Sequence, residues 1–339
     1  MLFGESLVEQ EFPIMDGLIY PTLESDINLY GFDGTYLVIC GKKPIPDLYS
    51  TITHEIKPIN PDIITNSQIT AVKVFNSTAA VGYQDGIICV WKISPTKISL
   101  LQFSSFKGKP IIHIAYLGSD KHLLIGDSMG IISQLSMLNS GSCEMVIQTT
   151  IINMKCPISS LVQNDGNIIA FSSKNGLVCL KIGRTIDVLY FKPPNNSMSI
   201  TCTDVFSKEI ESSNDQDSNS KSPENEINKK ITKNPPKITR AILCNENNLT
   251  LVDFDENYIM TRKIEDIVFE APIVRCFVPD LDHIILVLAS GVALLLNPQC
   301  EIIKRFDNLP LDVAIHNIFF FGHSLLMFGL TALYQKKLF

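Results

Sequence analysis

The stretch that decides the fold is ITAVKVFNSTAAVGYQDGIICVWKI, from Ile69 to Ile93. It contains three β-rich runs, separated first by a short polar turn and then by a turn that ends in Gly86. Short runs of this kind, bounded by turn-forming residues, are typical of β-strands. The stretch therefore predicts three consecutive strands joined by tight turns.

The same arrangement occurs in residues 111–137 and 158–182, where the second turn ends in Gly130 and Gly176. Gly86 and Gly130 are 44 residues apart, and Gly130 and Gly176 are 46 residues apart. A period of about 40–45 residues with several strands per unit is typical of β-propeller blades. Glycine suits such a turn because it adopts a positive φ where a Cβ atom would clash.

Four further segments repeat the pattern more weakly, and the one that follows Ile273 again places a glycine, Gly291, in the turn. These segments are residues 27–45, 238–264, 273–298 and 315–339. Seven units predict an all-β fold, a WD40-like seven-bladed β-propeller with degenerate repeats, as a single domain over residues 1–339.

One segment, Ser207–Lys237, interrupts the repeat and contains almost no large apolar residues. Because it cannot bury enough surface to offset the entropy lost on ordering, we expect a disordered insertion loop within the propeller.

The composition narrows the function classes. Hydrophobic residues make up 45% of the chain, so a large core is expected. The net charge is −7, which argues against a nucleic-acid partner because phosphate contacts need clustered Lys and Arg. The apolar runs 284–296 and 318–334 contain β-rich stretches broken by glycine, which favours buried strand pairs over membrane helices.

The nine cysteines form no C-x-x-C pair, and no cysteine and histidine residues have zinc-finger spacing. We therefore expect buried, reduced thiols in a cytosolic protein and predict no metal site.

Residues Gly126–Gly130 fit G-x-S-x-G, the nucleophile elbow of α/β-hydrolases, in which a helix follows the serine. The residues after Ser128 are β-rich instead, and Ser128 aligns with turn residues of the neighbouring units. Asp282 with His316 or His323 could complete a triad, so a serine hydrolase stays a remote alternative. Nucleotide-binding and metalloprotease motifs are missing from the sequence, and we predict no catalytic residue and no cofactor.

The second turns of three units are the candidate interaction residues, because the function of a propeller lies on its rims and loops. These residues are Tyr83, Gln84, Asp85, Asp127, Ser128, Met129, Ser173, Lys174 and Asn175.

Trp91 in GIICVWKI resembles the end of a WD-type strand, although the usual upstream histidine is missing. We therefore expect packing, rather than a Trp–Ser–His–Asp network, to hold the blades. The order of segments resembles the N-terminal propeller of the vacuolar protein sorting-associated protein eight family, a subunit of the CORVET endosomal tether. The segments that carry the resemblance are AAVGYQDGIICVWKI (79–93), LLIGDSMGIISQLSM (123–137), LTLVDF (249–254), residues 271–298, and FFFGHSLLMFGLTALYQKKL (319–338).

The resemblance implies a non-enzymatic scaffold in the cytoplasm, peripheral on endosome membranes through its partners. Those partners would be other tethering-complex subunits and an early-endosomal Rab GTPase, in transport to the vacuole or lysosome. Subunits of that family continue into an α-solenoid and a RING domain, which these 339 residues do not contain, so roles of those regions are not carried over. The alternative is a generic WD40-like scaffold, such as a coat protein, a nucleoporin or a ubiquitin-ligase adaptor.

Overall fold

A computed structural model describes residues 29–339, except 42, 54, 60–64, 107, 117–121, 138–145, 164–167, 174, 183–184, 194–200, 210–236, 311–316 and 330–332. Within the described residues the chain forms 27 strands in seven antiparallel sheets. Each sheet consists of strands that are consecutive in the chain, and we number the sheets as blades 1 to 7.

Blade 1 contains β1 (Leu29–Phe32), β2 (Tyr36–Cys40), β3 (Asp47–Ser50) and β4 (Ile56–Pro58). Blade 2 contains β5 (Ile69–Phe75), β6 (Thr78–Tyr83), β7 (Ile87–Ile93) and β8 (Ile98–Ser105). Blade 3 contains β9 (Ile111–Tyr116), β10 (His122–Asp127), β11 (Ile131–Met137) and β12 (Val146–Asn153). Blade 4 contains β13 (Ile158–Gln163), β14 (Ile168–Ser173), β15 (Gly176–Ile182) and β16 (Ile186–Lys192).

Blade 5 contains β17 (Thr201–Glu209), β18 (Lys237–Asn245), β19 (Asn248–Phe254) and β20 (Met260–Val268). Blade 6 contains β21 (Ile273–Phe277), β22 (Ile284–Leu288), β23 (Val292–Leu296) and β24 (Ile302–Phe306). The described part of blade 7 contains β25 (Ile318–Phe321), β26 (Ser324–Phe328) and β27 (Leu333–Lys337).

The first strands of the blades meet around the centre of a ring. Strand β5 contacts β1 and β9, and strands β13, β17 and β21 continue the series. The ring closes between blades 7 and 1, where the rings of Tyr30 and Phe328 stack with their centroids 5.1 Å apart. The predicted seven-bladed, WD40-like β-propeller is confirmed.

The hydrophobic core is divided into seven clusters, each lying between two neighbouring blades. The middle strands are buried on both faces, as in β2, β6, β22 and β23, where every residue is buried. A strand buried on both faces needs a continuous apolar run rather than alternation. This explains why the chain shows repeated apolar runs of five to seven residues.

Trp91 lies in the core between blades 1 and 2 and is almost fully buried. Its indole Nε1–H has no hydrogen-bond partner among the described residues. The residue therefore stabilises the blade pair by its buried apolar area, which agrees with the expectation that packing replaces the WD-type network at this position.

The turn glycines have the predicted conformation. Gly86 and Gly130 have φ angles of 86° and 85°, in the left-handed region that residues with a Cβ atom rarely adopt. A Cβ atom at Gly130 would also overlap the carbonyl oxygen of Cys156, in the connection that leads to blade 4. The glycine thus permits both the hairpin turn and the close approach of the next blade.

Blade 5 differs from its predicted boundaries. The predicted unit 238–264 supplies the second, third and fourth strands, whereas the first strand is β17, which precedes the polar segment. Residues 207–209 of the predicted insertion pair with 237–239 across the β17–β18 ladder, so the insertion lies within the blade and is shorter than predicted. Strands β17 and β18 extend into the polar segment because the backbone hydrogen bonds that pair them do not depend on the polarity of the side chains. Residues 210–236 lie outside the described residues, so the prediction of disorder is not tested there.

The two long apolar runs form hairpins, as predicted. Residues 284–296 fold as β22 and β23 around a turn at Gly291, and β25, β26 and the start of β27 lie within residues 318–334. No helix in the described part of the chain has the length and apolarity that a membrane span requires.

A buried ion pair within blade 5 is hydrogen-bonded to blade 6. Arg240 Nε lies 2.8 Å from Asp253 Oδ1, and a second guanidinium nitrogen lies 2.9 Å from Oδ2. The remaining nitrogen donates to the carbonyl oxygen of Leu281, between β21 and β22. The two side chains are only 5% and 8% exposed, so either charge without its partner would be strongly destabilising.

We predict that Gly130→Ala lowers the free energy of unfolding by at least about 2 kcal/mol, because it adds both backbone strain and overlap. Gly108→Ala is the matched control, since Gly108 has a φ of 75° but open space where a Cβ would lie. Urea denaturation of both variants measures the difference. Equal losses would contradict the close approach at Gly130.

We predict that Arg240→Met lowers the free energy of unfolding by about 3–5 kcal/mol, because it leaves Asp253 buried and unpaired. Adding Asp253→Leu should restore part of this loss. Arg305→Met is the control, since Arg305 pairs with Glu270 and Asp307 at an exposed position where solvent screens the charges. Urea denaturation in which the two single variants behave alike would refute the assignment.

Candidate functional site

The three predicted interaction turns lie on one face of the ring. Each joins the second strand of its blade to the third, and antiparallel order places these turns beside the connections between blades. Backbone hydrogen bonds show this contact, since Gln84 N donates to Gln68 O and Ser128 N donates to Pro110 O, both at 2.9 Å. We call residues 83–85, 127–129, 173 and 175 the turn face.

The predicted residues differ in what they offer to a partner. Gln84, Met129 and Asn175 are exposed, and Asp85 and Ser128 are half-buried. These five residues can contact another protein without rearrangement. Whether they do so stays a prediction.

Tyr83 and Asp127 are corrections to that prediction, because they are only 2% and 3% exposed. The Tyr83 hydroxyl donates to the carbonyl oxygen of Pro44 at 3.0 Å, which joins blade 2 to blade 1. Asp127 Oδ1 accepts hydrogen bonds from the backbone N–H groups of Met129 and Ile131, each at 2.9 Å. Both side chains therefore build the turns and are inaccessible to a partner.

Two predicted residues are described only in part or not at all. Ser173 is the last residue of β14, but its side chain is outside the described set, as is the whole of Lys174.

Ser128 lies in a hairpin turn, as the sequence predicts, and strand β11 follows it where a nucleophile elbow requires a helix. Asp282 and His323, nominated as triad partners, lie in the connections between the first and second strands of blades 6 and 7. Those connections are on the face of the ring opposite to Ser128, because consecutive antiparallel strands alternate in direction. The fold therefore keeps these three residues apart, and His316 lies outside the described residues.

The outer strands of blades 4 to 6 carry a recurring apolar feature that the sequence analysis did not identify. Exposed large apolar residues lie at or beside the start of each of these strands, along the outer edge of three consecutive blades. We call this the outer apolar row: Ile186, Val188, Ile259, Met260, Ile302 and Ile303.

The exposure of the outer apolar row is substantial, since Val188 is 61% exposed and Ile259 is 63% exposed. Ion pairs link this region, with Lys192 of β16 paired to Asp266 of β20 at 2.8 Å, and Arg305 of β24 paired at 2.7 Å to Glu270, which follows β20. Exposed apolar residues that recur at one position mark a surface for contact with another molecule. The sequence does contain a signal for this surface: the fourth strand of a blade starts with apolar residues, whereas a strand at a solvated sheet edge is expected to be polar.

Four charged or titratable side chains lie at the middle of first strands and face the centre of the ring. They are Lys73 on β5, His113 on β9, Asp204 on β17 and Arg275 on β21. Asp204 and Arg275 both lie close enough to Lys73 to shift its pKa, although blade 2 is adjacent to neither of their blades. The interaction therefore crosses the ring centre. A single polar residue within an apolar first strand is the sequence signal that could have identified this group.

Burial controls how these central groups titrate. It lowers the pKa of His113 to about 4 and raises the pKa of Asp204 to about 7. His113 Nε2 lies 2.9 Å from the carbonyl oxygen of Ile158, so the neutral imidazole donates to blade 4. Asp204 accepts a hydrogen bond from the backbone N–H of Val278 at 2.6 Å. Both groups join neighbouring blades.

The cysteines are free and buried, as predicted, apart from half-buried Cys156 and from Cys143, which lies outside the described residues. Their spacing along the chain does not group them, yet Cys202, Cys244 and Cys276 place their Sγ atoms within 4.8 Å of one another. Hydrogen bonds from the other two thiols hold the pKa of Cys202 well below its usual range, and burial raises the pKa of Cys244 and of Cys276.

No protein-family model and no curated protein matches the chain. Solved structures share its fold. The computationally designed Ika8 protein superimposes with a TM-score of 0.63 at 13% identity, over 91% of this chain and 82% of that one. Sqt1 of Saccharomyces cerevisiae gives a TM-score of 0.58 at 11% identity, with the same coverage. A chain of the mitotic checkpoint complex gives 0.61 at 10% identity, over 94% and 93% of the two chains.

At these identities the likeness shows the propeller fold alone. The family resemblance noted in the sequence therefore rests on the short segments quoted there.

We predict that lowering the pH reduces the free energy of unfolding of the wild-type protein more than that of the His113→Gln variant. Between pH 6.5 and 4 the unfolded state binds a proton at His113 that the native state does not, so the wild type loses stability as pH falls through this window. The difference in unfolding free energy should reach on the order of 2 kcal/mol at pH 4. Glutamine can still donate to Ile158. Parallel urea titrations at pH 7 and pH 4.5 measure the effect, and identical pH profiles would contradict a neutral His113.

Proposed function

We propose that this protein is a non-enzymatic interaction scaffold whose partners are other proteins. The observation that carries the proposal is the outer apolar row, three pairs of exposed apolar residues at or beside the starts of the outer strands of consecutive blades. A ring held by seven inter-blade cores presents such residues on a rigid surface, so little conformational entropy is lost when a partner binds. The turn face, with Gln84, Met129 and Asn175 exposed, offers a second contact surface.

The chemistry of the outer apolar row suits a protein partner better than a small ligand. Its side chains lie on an outer edge rather than in a cavity, and the same outer strands carry the ion-paired Lys192 and Arg305 nearer their other ends. An apolar centre with a charged periphery is typical of protein–protein interfaces. Ligand sites, by contrast, are usually concave.

The finer proposal is that the partners are subunits of an endosomal tethering complex and an early-endosomal Rab GTPase, in transport to the vacuole or lysosome. It is supported by the resemblance of residues 79–93, 123–137, 249–254, 271–298 and 319–338 to the vacuolar protein sorting-associated protein eight family. The protein would then be cytoplasmic and reach endosome membranes only through these partners.

The test measures binding of the purified protein to candidate tether subunits and to an early-endosomal Rab loaded with GTP or GDP. We predict that the double variant Ile259→Asp with Ile303→Asp lowers the affinity for its partner at least about tenfold, because two charges would be desolvated in an apolar contact. The control is Thr96→Asp, which places the same charge at an exposed turn of blade 2. Met129→Asp tests the turn face in the same assay.

Equal affinities of the double variant and the control would exclude the outer apolar row as the docking surface. Recovery of nuclear-pore, coat or ubiquitin-ligase subunits from cells, without any tether subunit or Rab, would replace the endosomal proposal by the generic scaffold. Labelling of Ser128 by a fluorophosphonate probe, with loss of label in Ser128→Ala, would contradict the non-enzymatic assignment.

A further inference from the structure

Three cysteine side chains from two blades meet in the core between blades 5 and 6. Cys202 is on β17, Cys244 is on β18 and Cys276 is on β21. All three are buried, and their Sγ atoms lie within 4.8 Å of one another. No short motif links these residues, since they are separated by 42 and 32 positions in the chain.

The strand register fixes this grouping. Cys202 and Cys244 are direct partners in the β17–β18 ladder, so their side chains project from the same face of blade 5. Cys276 lies on the first strand of blade 6, which packs against that face in the same core cluster. The three thiols are therefore positioned by rigid strands rather than by loops, which favours a defined ligand geometry.

The spacing fits a metal ion with little movement. A zinc–sulfur bond is about 2.3 Å long, so thiolates that share one ion lie about 3.8–4.0 Å apart. Each Sγ pair in this group would need to close by less than about 1 Å to reach that separation. Thiolate ligands select soft or borderline ions, above all Cu⁺ and Zn²⁺.

The surroundings supply charge compensation and a further donor. The guanidinium of Arg275 lies near Cys202 and Cys276, where it would offset the negative charge of three thiolates around a divalent ion. Cys300 belongs to the same core cluster, but its Sγ lies outside the group of three, so it would have to move to become a fourth ligand. The carbonyl oxygen of Ile273 lies 3.8 Å from the Cys202 sulfur.

We propose that Cys202, Cys244 and Cys276 bind one thiophilic d10 ion, Zn²⁺ or Cu⁺, which cross-links blade 5 to blade 6. The three ligands are buried, so the site is structural rather than catalytic. Its position has a physical rationale, because 27 residues, 210–236, separate β17 from β18 and closing such a long connection has an entropic cost. An ion on these three strands would hold β17 in its blade.

The test begins with the full chain purified without a metal-binding tag, and measures its zinc and copper content before and after reconstitution with Zn²⁺ or Cu⁺. We expect one equivalent of one of these ions. Substitution by Co²⁺ should give thiolate-to-cobalt charge transfer, and addition of the bound ion should raise the melting temperature. Cys276→Ala should lose the metal and the thermal shift. Cys179→Ala is the matched control, since Cys179 is equally buried in the core between blades 4 and 5.

Less than about one tenth of an equivalent after reconstitution, with no thermal shift of the wild type, would show that the three thiols only pack as small apolar residues. Metal retained by Cys276→Ala, or lost equally from Cys179→Ala, would also overturn the proposal. If Cys276→Ala does not fold, the melting temperature of the wild type is compared with and without a chelator. Removal of a structural ion must lower that temperature. Loss of the bound metal in Cys300→Ala would identify a four-thiolate Zn²⁺ site, and retention of the metal a three-thiolate site.

Discussion

Each blade is stabilised by packing both of its faces against neighbouring blades, and the rest of the structure depends on this packing. The seven core clusters all lie between blades, and the seventh closes the ring where Leu326 and Phe328 meet Tyr30 and Tyr49. A blade buried on both faces cannot alternate polar and apolar residues, so its middle strands become continuous apolar runs. Trp91 shows the consequence, since it contributes buried area while its indole N–H has no partner within the described part of the chain.

Apart from the groups buried at the boundaries between blades, polar and reactive groups lie in three places: the ring centre, the turns and the outer strands. The centre holds Lys73, His113, Asp204 and Arg275, whose titration is controlled by burial and by one another. In the turns, aspartates such as Asp127 are used to satisfy backbone N–H groups. The outer strands, which have no further strand beside them, carry the exposed apolar side chains. Recognition by this protein is therefore expected at its edges.

The same packing also creates side-chain groups that belong to no local motif. Arg240 and Asp253 are cross-strand partners within blade 5, but their pair is completed by Leu281 of blade 6. The three thiols are likewise completed across the blade 5–blade 6 boundary. Solved propellers with 10–13% identity share the ring, so the architecture tolerates almost any sequence that keeps the apolar runs and turns. Side-chain groups at the boundaries are what distinguishes one ring from another.

The amino-acid sequence by itself determined the repeat, the all-β class, the seven units and the hairpin at Ser128, because apolar runs and turn glycines are local signals. It misplaced blade 5, since the first strand β17 is separated from the other three by the polar segment and its pairing is non-local. It also treated Tyr83 and Asp127 as accessible, because burial of a turn residue depends on the neighbouring blade. Only the tertiary structure brings together the residues of the outer apolar row, the central charged group and the Cys202–Cys244–Cys276 cluster. Each joins residues from different blades, and their proximity follows from the closure of the ring rather than from their spacing along the chain.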